Sequence, residues 1–218
     1  MIPLTLKLKK QIHKNVAVAQ DLIIKEMYGI FEKAVLHGGT AIWRCYSGNR
    51  FSEDINVYVP KDAEKIETLF ENLKRSGFTV ERKKIGDNSL YSNLELNRTI
   101  VRFEALFKKE EGILKEYETA DGNLITVYTL SPETLVKEKV RAYLNRLKIR
   151  DLYDVFFLLR HIEDKSAVSK ELHKLINGFK NPADEKELKI LIIEGLVPSS
   201  EKMIEYIKRT IKWESKNI

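Results

Sequence analysis

A chain of 218 residues with 43% hydrophobic and 32% charged residues has the composition of a globular protein with a heavily charged surface. It holds no run of about 18 apolar residues, so no membrane span is expected, and the apolar stretch within MIPLTLKLKK is too short for a signal peptide. The single cysteine, Cys45, excludes a disulfide framework and a Cys-rich zinc site and makes reducing cytoplasm the expected compartment, while a net charge of +6 favours polyanionic partners without identifying one.

Apolar residues at helical spacing (Ile12, Val16, Ala19, Ile23, Met27) predict an amphipathic helix over Leu8–Tyr28 that stops at Gly29. Ala34–Leu36 is a short apolar strand that runs into His37-Gly38-Gly39, a tight turn. Thr40 is then expected to cap a helix carrying Ala41, Ile42, Trp43 and Tyr46. In Asp54–Val59, Asp54, Asn56 and Tyr58 alternate with Ile55, Val57 and Val59, which is strand periodicity, and Pro60 ends it. Asp62–Gly77 reads as a helix with Ile66, Leu69, Phe70 and Leu73 facing inward. Strands are expected at Phe78–Ile85, Leu90–Leu96, Thr99–Phe107 and Leu124–Tyr128, with turns at Gly86-Asp87-Asn88 and Asp121-Gly122.

Ser131-Pro132-Glu133 opens a helical regime: Glu133–Arg146, Asp151–His161, Ser169–Phe179, Asp184–Gly195 and Ser199–Trp213. The expected architecture is an α/β (α+β) domain with a mixed sheet over residues 1–130 and a helical domain over 131–218. No internal repeat or low-complexity tract interrupts it.

Several groups of residues have the chemistry of a phosphate site, and each has a plainer alternative. Gly38 and Gly39 free the backbone for close approach, and the N–H groups of the helix after them would face an anion; the pair also suits a simple strand-to-helix turn. Asp54 and Asn56, two apart on a strand, project to one face as oxygen ligands of the kind Mg²⁺ prefers, or form an ordinary polar strand face. Glu104 shares its face with Arg102 and Leu106 and reads either as a third acid or as the ion-pair partner of Arg102. On an unbroken helix, Lys139, Arg146, Arg150 and Asp154 would share a face. Such a row suits a triphosphate or a solvated helix surface. His37 adjoins the glycine turn, and His13, His161 and His173 have no metal-ligand spacing.

Taken in order, these residues resemble the AbiEii/AbiGii-type toxin family of the nucleotidyltransferase superfamily, which includes the MenT-like toxins. The resemblance rests on Gly38-Gly39-Thr40-Ala41, Arg44, Arg50-Phe51-Ser52-Glu53-Asp54-Ile55, Glu138-Lys139-Val140-Arg141-Ala142 and Arg150-Asp151-Leu152-Tyr153-Asp154. Asn56 departs from it, standing where the motif has a second Asp. The similarity spans Val35 to Leu159 and implies a minimal nucleotidyltransferase core with an appended C-terminal helical bundle.

It further implies Mg²⁺- or Mn²⁺-dependent transfer of a nucleotide from an NTP to an RNA hydroxyl, with the 3′ end of a tRNA as acceptor, and a cognate antitoxin as partner. By the same resemblance Gly38, Gly39, Thr40, Ser52, Lys139 and Arg150 would bind the nucleotide, and Asp54, Asn56 and Glu104 would hold the metal. Asp54, Glu104, Lys139 and Asp154 would be catalytic, Glu104 being matched by strand position only, while Arg150 and Asp151 could instead brace the helices. Because Asn56 removes a negative charge, a degenerate protein that binds nucleotide or RNA without turnover is the second expectation.

Overall fold

The computed structural model describes residues 3–214, with side chains as far as residue 211. Met1 and Ile2, which open the amino-terminal stretch read above, lie outside the described residues. In chain order the elements are α1 (Leu4–Lys7), α2 (Gln11–Tyr28), β1 (Val35–His37), α3 (Gly38–Cys45), β2 (Asp54–Val59), α4 (Ala63–Arg75), β3 (Thr79–Ile85), β4 (Ser89–Leu96), β5 (Thr99–Phe107), β6 (Ile113–Glu118) and β7 (Leu124–Thr129). The helices α5 (Pro132–Arg146), α6 (Ile149–Leu158), α7 (Ser166–Asn177), α8 (Leu188–Leu191) and α9 (Ser200–Glu214) follow, with 3₁₀ turns at Leu159–His161 and Glu185–Glu187. None of the helices among the described residues is long and apolar enough to cross a membrane.

The chain divides into two compact units, Met1–Ser47 with Phe51–Leu130, and Gly48–Arg50 with Ser131–Ile218. The first is built on a mixed sheet of order β3-β4-β5-β2-β1-β7-β6. β1 runs antiparallel to β2 and parallel to β7, and β2 runs parallel to β5. Register sorts the side chains into two faces. Leu36, Val57, Ala105 and Leu90 lie opposite one another across four strands, and all are buried, as are Ile55, Val101, Phe103 and Leu94 on the same face. Lys83 belongs to this face too, and its Nζ lies 4.3 Å from the ring of Phe70 on α4. The apolar stripes of α2 (Val16, Ala19, Ile23, Met27) and α4 (Ile66, Leu69, Phe70, Leu73) are buried; each such side chain contributes about 1.5–3 kcal/mol.

Several expectations are corrected. The first long helix begins at Gln11, because Leu8 and Lys10 are extended, and Ile12 is exposed rather than inward. Thr40 does not cap α3: His37 is the N-cap, the helix begins at Gly38 with φ +73, and Thr40 is a buried third residue. β6 was not expected. Its sequence ILKEYE lacks alternation because it is an edge strand paired on β7 alone, with only Tyr117 buried, and edge strands tolerate charges that a central strand excludes.

In the helical unit Leu147 takes a left-handed conformation, φ 50, which ends α5 and turns the chain into α6. The charged face that an unbroken helix would present is therefore split between two helices, in keeping with the helix end expected at Arg146. The segment 184–195 is not one helix either, because its groups are drawn into other bonds. Asp184 Oδ1 accepts from the Ile149 N–H at 2.8 Å at the start of α6 and pairs with Lys148 at 3.3 Å. Glu185 Oε1 accepts from the Ser200 N–H at 2.6 Å at the start of α9. Beyond α8, Ile192 bridges to Arg50, and the Ile193 N–H donates to the Asn49 carbonyl at 2.8 Å.

Asp184→Ala removes the acceptor for the first turn of α6 and an ion pair at once. A loss of about 1–2 kcal/mol is expected in urea denaturation; an unchanged midpoint would show that Asp184 does not cap α6.

Candidate functional site

The face of the sheet opposite Leu36, Ile55 and Phe103 carries the polar residues. Across β1, β2 and β5, His37 lies opposite Asn56 and Asn56 opposite Glu104; one row away Asp54 lies opposite Arg102. Asp54, Asn56 and Glu104 thus occupy neighbouring positions on one face of two adjacent parallel strands, none of them fully buried. Between the acids stands Arg102. Its Nη2 bonds Asp54 Oδ2, and its Nε lies 3.2 Å from Glu104 Oε1. Partial burial acts against the Arg102 charge, but the hydrogen bond and charge of Asp54, with Glu104, outweigh it and raise its pKa further. The alternative expected for Glu104, an ion pair with Arg102, is present.

The glycine turn meets this group directly. A Cβ on Gly38 would stand 3.1 Å from Asn56 Nδ2, at a φ that L-residues avoid. The absence of a side chain at Gly38 therefore lets the start of α3 sit against Asn56. Two further contacts fix the approach to β2. The Thr40 hydroxyl donates to the Asp54 carbonyl, and Gln20 Nε2 donates to the Ser52 carbonyl at 2.9 Å. Thr40 and Ser52 are both buried, and the Thr40 hydroxyl is engaged within the fold. His37 stacks on Tyr58 with ring centroids 4.1 Å apart.

The other expected residues, Lys139, Arg150 and Asp154, lie in the helical unit. Asp154 is buried, and both of its oxygens are engaged: Arg50 Nε reaches Oδ1 and Nη2 reaches Oδ2, each at 2.8 Å, and Lys139 Nζ lies 2.8 Å from Oδ2. Lys139 also faces Asp151 at 3.6 Å, and Asp151 takes a two-point bond from Arg146 at 2.7 and 2.8 Å. Burial pushes the Asp154 pKa up, but Arg50 and Lys139 more than offset this and hold it below its ordinary 3.8. Arg150 is half-buried and takes no part in the ion pairs that link its neighbours. Of the expected row, Lys139, Arg146 and Asp154 thus belong to a network, with Arg50 and Asp151, that braces α5, α6 and residues 48–50.

Two motif arginines given no role from the sequence have clear ones. Arg50 is the partner of Asp154. Arg44 is buried, bonds Asp21 on α2 and lies over the rings of Trp43 and Tyr117, at 4.8 and 4.7 Å. The Tyr117 hydroxyl and the Ala120 N–H also donate to Asp21, at 3.0 and 2.6 Å. An arginine inside an apolar helix face was the available signal, since a buried guanidinium needs a carboxylate. Burial pushes the Cys45 thiol up to about 12, so it remains a thiol at neutral pH.

The donor set has the chemistry of a divalent-cation site. Asp54 and Glu104 carboxylates with the Asn56 amide oxygen are hard oxygen donors of the type Mg²⁺ and Mn²⁺ take, and Arg102 already supplies the positive charge these acids attract. The residues fit one such ion. Among the described residues, however, no three His, Cys, Asp or Glu side chains gather to hold a metal by themselves.

Residues 27–198 match the family described as nucleotidyl transferase AbiEii toxin, type IV toxin–antitoxin system. The sequence matches none of the curated proteins. Among solved structures, MenT4, a nucleotidyltransferase toxin of Mycobacterium tuberculosis, is similar with TM-score 0.63 and 19% identity, over 89% of this chain and 81% of that one. JHP933 of Helicobacter pylori has TM-score 0.63 and 20% identity over 95% and 97%. Another H. pylori structure reaches 0.66 and 20% over 96% and 99%. At these identities the likeness is one of fold.

Two expectations follow from the geometry. Gly38→Ala should lower stability by about 1–2 kcal/mol in denaturant titration, because it combines backbone strain with a clash at Asn56; a neutral effect would contradict the close approach. Since the Asp154 pKa is depressed in the folded protein, the stability it confers is full above about pH 4 and is lost as pH falls through the folded value. Asp154→Asn should therefore be less stable at neutral pH and show a flatter loss of stability on acidification, read as melting temperature against pH.

Proposed function

Because the chain belongs to the nucleotidyl transferase AbiEii toxin family of type IV toxin–antitoxin systems, we propose that it transfers a nucleotide from an NTP to an RNA hydroxyl with the help of Mg²⁺ or Mn²⁺, acting in the cytoplasm and opposed by a cognate antitoxin. The acceptor proposed is the 3′ end of a tRNA. The observation that carries this reading is the registered group Asp54, Asn56 and Glu104, with Gly38 against Asn56.

Asp54, Asn56 and Glu104 are the residues that would hold the ion, whose charge, when bound, offsets that of the phosphates and favours the ionised acceptor hydroxyl. The chain's own groups supply the rest. The N–H groups at the start of α3, Gly38 to Thr40, have no side-chain cap and are suited to donate to phosphate oxygens, aided by the helix dipole. The bonds from Thr40 and Gln20 hold the backbone of residues 52–54 in place, so Asp54 needs no main-chain movement to present its carboxylate. Arg102, released from one acid, remains as a cation beside the reacting phosphate. The nucleotide-binding parts given to Lys139 and Arg150 and the catalytic part given to Asp154 rest on the family match alone.

Asn56 favours a second reading. With Asn at this position and Arg102 bonded to the acids, the face carries less negative charge than a two-carboxylate pair on β2 would provide. A protein that holds nucleotide or RNA without turnover fits that balance.

One experiment separates the two. Wild type, Asp54→Ala and Asn56→Asp are incubated with each labelled NTP, total tRNA and a Mg²⁺ or Mn²⁺ titration. The enzyme reading expects transfer by wild type, none by Asp54→Ala, and more by Asn56→Asp at lower metal concentration. Transfer by Asn56→Asp only would establish the degenerate reading, and equal transfer by all three would remove this strand as the metal site.

A further inference from the structure

The polar rows of the sheet do not stop at Glu104. Antiparallel pairing of β5 with β4 and of β4 with β3 sets Tyr91 opposite Glu104 and Lys84 opposite Tyr91, and it sets Asn93 opposite Arg102 and Arg82 opposite Asn93. One face therefore carries two continuous rows: Lys84, Tyr91, Glu104, Asn56 in the first, and Arg82, Asn93, Arg102, Asp54 in the second. The charge changes along them, from cations on the edge strand β3, through Tyr91 and Asn93 on β4, to Glu104 and Asp54 with Arg102 between them on β5 and β2. From Lys84 to Asn56 is three strand spacings, about 14 Å.

The β3–β4 end is arranged for something outside the chain. Lys83, on the opposite face, is occupied by Glu67 at 2.7 Å. Arg82 and Lys84, both exposed, make no ion pair with any described residue. The Arg82 guanidinium lies 5.4 Å from the Tyr91 ring centroid, and the Tyr91 hydroxyl is held by Asn93 Oδ1 at 2.9 Å. A half-buried, hydrogen-bonded tyrosine flanked by two cations without carboxylate partners is a stacking surface with phosphate contacts beside it. That combination binds single-stranded nucleic acid, whose bases stack on aromatic rings and whose backbone pairs with Lys and Arg.

We propose that the β3–β4 face is the platform for a single-stranded RNA segment, with a base on Tyr91 and the backbone on Arg82 and Lys84. The strand's terminal hydroxyl then points along the rows toward Asp54 and Glu104. This rests on the reading of those acids as a transfer site, since it names where the acceptor of that site lies. The cations at the β3 edge attract the backbone phosphates and the acids repel them, which seats the backbone at the β3 end. Glu95 stands on the same face two residues beyond Asn93 and bounds the platform at that end.

The test is binding of a fluorescein-labelled single-stranded oligoribonucleotide to the full chain by anisotropy, without NTP or metal, so that it does not depend on turnover. Tyr91→Ala should weaken binding about tenfold, while Tyr91→Phe, which keeps the ring, stays within about twofold. The double variant Arg82→Gln, Lys84→Gln should weaken binding and make the slope of log affinity against log salt shallower by about 1.4, two single-strand phosphate contacts. Lys83→Gln, the same strand and charge on the other face, should change neither. In the transfer assay Tyr91→Ala should raise the KM for RNA and leave the KM for NTP unaltered.

The proposal is overturned if wild type does not bind the oligomer, if Tyr91→Ala binds as wild type does, or if Lys83→Gln behaves like the double variant. Failure of transfer with Tyr91-dependent binding intact would count against the enzyme reading and not against the platform. Transfer with unaltered RNA KM in Tyr91→Ala would do the reverse.

Discussion

A buried carboxylate cannot stay charged without partners, and Asp154 is the point on which the helical unit is organised. Its two oxygens take a forked bond from Arg50 and a third contact from Lys139. Removing either cation leaves the carboxylate undercompensated in a dry environment, whereas the intact group is balanced. The consequence is topological. Arg50 lies in the loop that precedes β2, so the segment 48–50 belongs with α5 and α6 although its neighbours on both sides belong with the sheet. Ile192 and Ile193 complete the arrangement by pairing with Arg50 and Asn49, which is why the chain leaves helical geometry there.

The sheet unit follows a different rule. Its candidate centre is placed by strand register rather than by a loop, and register is enforced by the opposite face. Leu36, Ile55, Val57 and Phe103 are buried together, so a slip by one residue would turn those side chains out and Asp54 and Glu104 in. The apolar core therefore fixes which polar groups meet. Arg102 belongs to this logic. It holds Asp54 and Glu104 together without ligand and balances their charge, so that the acids do not repel one another at close range.

The motif residues divide by what they touch. Gly38 and Thr40 act through backbone and buried contacts that set the position of β2, and Arg44 neutralises Asp21 inside the fold. Such residues are as necessary to a site as those that face it, because a side chain on a strand is only as well placed as the strand's ends. A pattern of residues in sequence does not distinguish the two kinds. Thr40 looks like a cap, and its hydroxyl is instead a clamp on the Asp54 carbonyl.

Much of the architecture is legible in the sequence. Period-two alternation marks β2, β4 and β5, helical spacing marks α2 and α4, and the change at Ser131-Pro132 marks where helices take over. The spacing within Asp54-Ile55-Asn56 determines a shared face, since strand geometry allows no other outcome. What the sequence could not determine depends on partners distant in the chain. The edge strand β6 pairs on β7 alone and buries only Tyr117, so it carries charges and lacks the alternation that would reveal it. The helix end at Arg146 is legible in the sequence, but the left-handed Leu147 that makes it is announced by no glycine. The engagement of Arg50 with Asp154, and of Arg102 with Asp54 and Glu104, arises from burial and register, which are properties of the folded chain: local spacing states which side chains share a face, and only tertiary structure decides which charge answers which.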